Sequence, residues 1–100
     1  MITGKQRAYL RKISHDLEPI FQIGKEGITA PLLDGLDKAL NKREILKVHI
    51  LETAFLETKS ACNDIAAQLG AEPVQAIGSK FVLYKQAENV KNRKIELPRK

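Results

Sequence analysis

Two groups of residues in this sequence have the types and spacing to hold a phosphate backbone. Gly24-Lys25-Glu26-Gly27 sets two glycines around a charged pair, after a short apolar run and before a stretch that reads as a helix. Glycines let a backbone approach a sugar–phosphate chain closely and take dihedrals that a Cβ forbids, and a following helix N-terminus offers free amide hydrogens and a partial positive charge. Lys25 adds a counter-charge and Glu26 subtracts one. Read alone, the loop is as much a steric turn as a contact. Arg7 and Arg11 lie one helical turn apart, where both guanidinium groups can reach successive phosphates; the competing reading is a solvated helix face.

Nothing in the sequence carries catalysis. No phosphate-cradling Walker loop, no H-E-x-x-H, no paired-carboxylate motif and no nucleophile elbow is present. Cys62 is the only cysteine, which excludes an internal disulfide and a zinc site built from thiolates, and it falls on the apolar stripe of a predicted helix, where a buried structural thiol is expected. His15 belongs to the last turn of a helix and His49 to a half-exposed strand; neither makes a site. The expectation is a protein that is not an enzyme and has no metal, cofactor or small-molecule substrate.

Charge is divided along the chain. Residues 1–18 carry four basic and two acidic side chains, residues 19–84 seven and eight, and residues 85–100 six and two, within an overall charge of +5. A neutral middle with basic ends suits a polyanion-binding protein in which scaffold and contact surface are separate; solubility alone is the plainer explanation. Lys5, Arg7, Arg11 and Lys12 interrupt every early apolar run, and no stretch approaches the ~18 apolar residues of a membrane span, so a cytoplasmic protein with no membrane partner is expected.

The elements that must position these residues follow from periodicity. Leu10, Ile13 and Leu17 recur at helical spacing over Thr3–Leu17, with Arg7, Arg11, Lys12 and His15 off the stripe. Pro19 ends that helix and opens a strand at Ile20–Ile23. Thr29 caps a second helix, tolerant of Pro31 in its first turn, running to about Asn41 on an apolar face of Leu32, Leu33, Leu36, Ala39 and Leu40. Ile45–Leu51 reads as a strand with Lys47 and His49 on one side. A third helix begins near Glu57 or Thr58 and stops at Gly70, placed for a left-handed cap. Val74–Ile77 and Phe81–Tyr84 flank Gly78-Ser79 as a hairpin. The predicted fold is a single α/β domain over residues 1–85, a four-stranded mixed sheet covered by helices in the order α-β-α-β-α-β-β, with its first two strands parallel. Residues 86–100 are expected to form a basic C-terminal tail with at most a short extended piece at Ile95–Leu97.

Thr3-Gly4-Lys5-Gln6-Arg7, Leu10-Arg11, Pro19-Ile20, Ile23-Gly24-Lys25-Glu26-Gly27-Ile28-Thr29, Leu46-Lys47-Val48, Leu69-Gly70-Ala71, Val74–Gly78 and Phe81–Lys85 occur in one register over roughly residues 2–98. In these the chain closely resembles the YhbY family of single CRM (chloroplast RNA splicing and ribosome maturation) domains. The resemblance implies a fold similar to the C-terminal domain of translation initiation factor three. It also implies an RNA-binding ribosome assembly factor that contacts ribosomal RNA of the precursor large subunit; plant relatives with several such domains act in group II intron splicing. By the same resemblance Gly24, Lys25, Glu26 and Gly27 are the RNA-contacting loop, and Lys5, Arg7 and Arg11 belong to the basic first helix. Nothing sets the oligomeric state, and a monomer is the working expectation. The alternative is a protein-interaction adaptor anchored by Phe55 and Leu56, because Ala54, Phe55 and Leu56 form an unusually apolar connection.

Overall fold

The computed structural model describes residues 2–99. Thr3 opens helix α1 (Gly4–Ser14) with a reciprocal cap: its hydroxyl accepts from the Gln6 backbone N–H at 3.1 Å, and the Gln6 side chain accepts from the Thr3 N–H at 2.9 Å. The helix stops at Ser14 rather than at the expected Leu17. Ser14 is fully buried and donates its hydroxyl to the Arg11 carbonyl at 2.9 Å, while the Leu17 N–H folds back onto the Ser14 carbonyl at 3.0 Å. Pro19 then begins strand β1 (Pro19–Ile23).

Helix α2 (Ala30–Arg43) is capped by the Thr29 hydroxyl, which accepts from the Leu32 N–H at 3.2 Å, and it continues past Asn41 to end on Glu44. Strand β2 (Ile45–Ile50) buries Leu46, Val48 and Ile50 and turns Lys47 and His49 to the other face, the alternation expected of a strand with one face on the main core. A 3-10 turn at Glu52–Ala54 leads into helix α3 (Thr58–Leu69), which closes on Gly70 in the left-handed conformation. Strands β3 (Glu72–Ile77) and β4 (Lys80–Tyr84) form the expected hairpin, with Ile77 opposite Lys80 and Gly78 at φ +60°.

The sheet order is β1-β2-β4-β3. Strands β1 and β2 are parallel, as a helical connection requires, and the other two pairings are antiparallel. The predicted four-stranded mixed α/β sheet is therefore the observed one. Pro73 lies on the edge strand β3 and Pro19 at the first residue of the other edge, where a missing N–H takes least from the ladder. One face of the sheet packs with α2 and α3 around Leu36, Leu40, Val48, Ile65, Phe81 and Leu83. The other face holds a smaller core of Leu10, Val74, Val82 and Tyr84, covered by α1 and, unexpectedly, by Ile95 and Leu97 from the C-terminal segment.

That segment corrects the expectation of a loose tail. After Tyr84 the chain is fastened to Glu44, whose side chain is completely buried. The Lys85 N–H donates to the Glu44 carbonyl at 2.8 Å, the Ala87 N–H to Oε2 at 2.9 Å, and the Lys94 and Ile95 N–H groups to Oε1 at 2.5 and 2.9 Å. The Asn92 side chain reaches the Asn41 carbonyl at 3.1 Å, and the Gln6 side chain donates to the Pro98 carbonyl at 3.0 Å. Composition makes Ile95 and Leu97 look isolated among charges. One buried carboxylate supplies the hydrogen-bond acceptors that make their docking possible.

Candidate nucleic-acid interface

Helix α1 lies across the β3 side of the sheet, and its off-stripe residues form one wall of a surface groove. A first cleft is lined by Arg7 and Arg11 of α1, Lys59 and Asn63 of α3, and Pro73–Ala76 of the edge strand between them. A second, sharing Arg11 and Gln75, continues along Lys12, His15, Asp16 and Ile77. A third, sharing His15, Gln75 and Ile77, reaches Lys47, Lys80 and Val82. The three form a continuous path over β3, and among the described residues lining it Arg7, Arg11, Lys12, Lys47, Lys59 and Lys80 stand against the single carboxylate of Asp16. The other side of the molecule differs: Asp34 and Asp37 of α2 are there, paired with Lys38 at 3.0 Å and Lys85 at 3.2 Å.

Arg7 and Arg11, one turn apart, thus share a cleft. Among the described residues the Arg7 Nε is buried with no hydrogen-bond partner, so this donor lies in the cleft wall unengaged by another protein group. Lys5 is exposed and lines none of the three clefts. Sequence periodicity gave no reason to select Lys59, Lys47, Lys80, Asn63 or Gln75. They come from three strands and a second helix, and only the strand order brings them alongside α1. Periodicity places Lys47 opposite the buried face of its strand and Lys59 and Asn63 on the outer side of the third helix, which marks them as exposed and goes no further.

The Gly24–Gly27 loop follows β1, at the opposite edge of the sheet from β3, about 14 Å away by three strand spacings. It and the groove nevertheless share one end of the sheet. The Leu51 N–H donates to the Ile23 carbonyl at 2.9 Å and the Ile50 N–H to the Ser79 carbonyl at 2.7 Å, tying the loop, the end of β2 and the β3–β4 turn together beside Lys80. Within the loop the Gly27 N–H donates to the Gly24 carbonyl at 2.9 Å, and Lys25 and Glu26 are exposed.

Only one of the two glycines is required by the backbone. Gly27 has φ +70°, the left-handed region, whereas Gly24 does not, and a Cβ on Gly24 would meet Leu51 Cδ1 at 3.8 Å and Thr53 Oγ1 at 3.9 Å, ordinary contacts. Gly27→Ala should therefore cost about 1 kcal/mol of stability, from the left-handed penalty, and Gly24→Ala close to nothing. Thermal melts of the two variants check this; a Gly24→Ala chain that melts as low as Gly27→Ala would show that the turn itself depends on both.

The remaining candidates are accounted for by packing. Cys62 lies in the main core and burial pushes its thiol up to about 11, the setting of an unreactive cysteine. Leu56 and Ala54 pack against the same core, so the apolar connection offers Phe55 alone to solvent. Among the described residues no three His, Cys, Asp or Glu side chains are grouped to hold a metal ion, and no helix is long and apolar enough to cross a membrane.

Fold and surface define a small α/β module with one basic, grooved face. The chain belongs to the CRS1/YhbY (CRM) domain family, which its residues 2–85 match. It is similar to the Bacillus subtilis protein named probable RNA-binding protein YqeI, with 37% identity over 98% of this chain and 100% of that protein. It is also similar to a Haemophilus influenzae protein named RNA-binding protein, with 37% identity over 99% of this chain and 97% of the relative. The solution structure of SAV1595 from Staphylococcus aureus, described as a candidate RNA-binding protein, superposes with a TM-score of 0.77 at 38% identity, covering 98% of this chain and 100% of that one.

Proposed function

We propose that this chain binds RNA through phosphate contacts along the groove between α1 and α3, with the Gly24–Gly27 loop as a second contact at the same end of the sheet. The target in this reading is ribosomal RNA of the precursor large subunit. The protein acts there in the cytoplasm as an assembly factor that holds a fold of the RNA and performs no turnover. The observation that carries the reading is the continuous groove in which six cationic side chains from four elements face one carboxylate. A polyanion is the ligand that such a surface neutralises, and base contacts are not needed for affinity of this kind. The names of the relatives and the family resemblance support RNA as that polyanion. The adaptor alternative loses one of its two anchors, since Leu56 is engaged with the core.

Ultraviolet crosslinking in cells, followed by sequencing of the RNA recovered with the protein, tests the target. Reads concentrated in large-subunit ribosomal RNA, with unprocessed precursor sequence among them, are expected. Reads spread over messenger RNA, or recovery no greater than from an untagged control, would contradict the proposal.

A further inference from the structure

Of the five aromatic side chains, Phe81 and Tyr84 are buried, Phe21 packs against the main core and Tyr9 is 37% exposed. Phe55 is 94% exposed. It is not exposed because its segment is loose. Ala54 before it and Leu56 after it pack against the core, and the Phe55 N–H donates to the Glu52 carbonyl at 3.1 Å, so the tip is pinned on both sides with the ring held outward. The residue also has φ +51°, the left-handed conformation in which glycine or asparagine is at home and an aromatic residue rarely appears. A phenylalanine here gains almost no burial and is unfavourable to its own backbone. Folding therefore gives no account of it, and something outside the chain must.

The position indicates what. Residues Leu51 and Thr53 of this segment lie against Gly24, so the ring-bearing tip and the loop carrying Lys25 are neighbours at the end of the sheet where the basic groove finishes. The Thr58 hydroxyl donates to the Gly78 carbonyl at 2.6 Å, which fixes the start of α3 to the β3–β4 turn beside Lys80. A rigid aromatic face next to phosphate-seeking cations is the arrangement by which unpaired nucleotides are held, with the backbone on the charge and the base on the ring. We propose that Phe55 stacks on an unpaired base of the bound RNA, making this end of the sheet a reader of bulged or looped nucleotides. The inference rests on the RNA-binding reading above.

Two RNA hairpins serve as probes: one with a three-adenosine bulge whose central base is 2-aminopurine, and the same hairpin fully paired. Phe55→Ala should bind the bulged hairpin about tenfold more weakly than the parent chain and the paired hairpin equally well, with an unchanged melting temperature because the ring contributes no packing. Phe55→Tyr should restore binding and Phe55→Leu should not. Since the chain has no tryptophan, Phe55→Trp adds a lone reporter, and its fluorescence should be quenched by the bulged hairpin and not by the paired one. Equal affinity of Phe55→Ala and parent for the bulged hairpin, or full function of Phe55→Leu, overturns stacking and returns the ring to a protein-contact role. If the parent chain binds neither hairpin, the RNA-binding reading fails and the stacking proposal falls with it; if it binds both and only the Phe55 effects are absent, the stacking proposal fails alone.

Discussion

Glu44→Ala is expected to destabilise the domain by about 3–5 kcal/mol, a loss that leaves a domain of ordinary stability near the edge of unfolding at physiological temperature. Three backbone N–H groups, from Ala87, Lys94 and Ile95, donate to this one buried carboxylate. Alanine would leave those buried donors without an acceptor, which costs more than the bonds themselves contribute. The carboxylate is held ionised against its surroundings. Burial by itself raises its pKa, but the N–H groups of Ile95, Ala87 and Lys94 and the charge of Arg93 outweigh that and hold it below the ordinary value of 4.5. The sign of the pH dependence follows. A carboxyl whose folded pKa lies below its unfolded one gives its full stabilisation above the unfolded value and loses it as pH falls through the folded value. Parent chain should therefore lose stability below about pH 4.5, and Glu44→Ala should show a smaller loss over the same range.

Urea denaturation of parent and variant across pH measures both effects. A double-mutant cycle with a chain ending at Gln86 locates them: with the C-terminal segment gone, Glu44→Ala should be nearly neutral, because its partners have been removed. Glu44→Gly in that shortened chain should be stabilising by about 1 kcal/mol, since Glu44 is the left-handed cap of α2 at φ +65°. If Glu44→Ala costs as much in the shortened chain as in the full one, Glu44 is not acting through the segment.

The second large effect is on binding. Arg11→Glu with Lys59→Glu, one residue from each wall of the first cleft, should weaken RNA binding more than a hundredfold at fixed salt. Each lost charge-assisted bond is worth roughly 1.5–3 kcal/mol, and repulsion from the new carboxylates adds to that. Both residues are exposed, so the fold should be untouched. Lys42→Glu with Arg43→Glu is the matched control: the same change of net charge, placed at the end of α2 on residues that line none of the three clefts. It should cost less than about fivefold, as expected of charges felt only through screened solvent. Equal losses in the two double variants would mean that binding senses total charge and not a groove.

The elements of the fold were legible because each has a local cause. Thr3 and Thr29 are caps, Gly70 and Gly78 take the positive φ their positions demand, and the alternation through Leu46, Val48 and Ile50 marks a strand covered on one face. The hidden parts depend on residues distant in sequence. Glu44 reads as one more surface charge between a helix and a strand. Its role exists only because Lys94 and Ile95, fifty residues on, bring their amides to it. The groove is a similar case: Arg7 and Arg11 follow from helical spacing, whereas Lys59, Lys47 and Lys80 join them through the order β1-β2-β4-β3, which no local pattern encodes. The same order separates the two candidate contacts legible in the sequence, setting the Gly24–Gly27 loop after one edge strand and Arg7 and Arg11 beside the other. The basic C-terminal segment, which composition ranks with the first helix as a contact, is a structural strap across the smaller core that still carries Lys91, Arg93, Lys94 and Arg99 exposed. Removing it to test RNA contact would remove stability as well.

Phosphate contact is tested most directly by the salt dependence of binding. Affinity for a fragment of large-subunit ribosomal RNA containing unpaired segments should be titrated between 50 and 200 mM monovalent salt. If the groove and loop together neutralise about five phosphates, log K should fall linearly against log salt with a slope near −3.5, roughly a hundredfold loss over that range. A slope shallower than about −1 would contradict phosphate contact as the basis of binding, and with it the reading of this basic groove as the RNA interface.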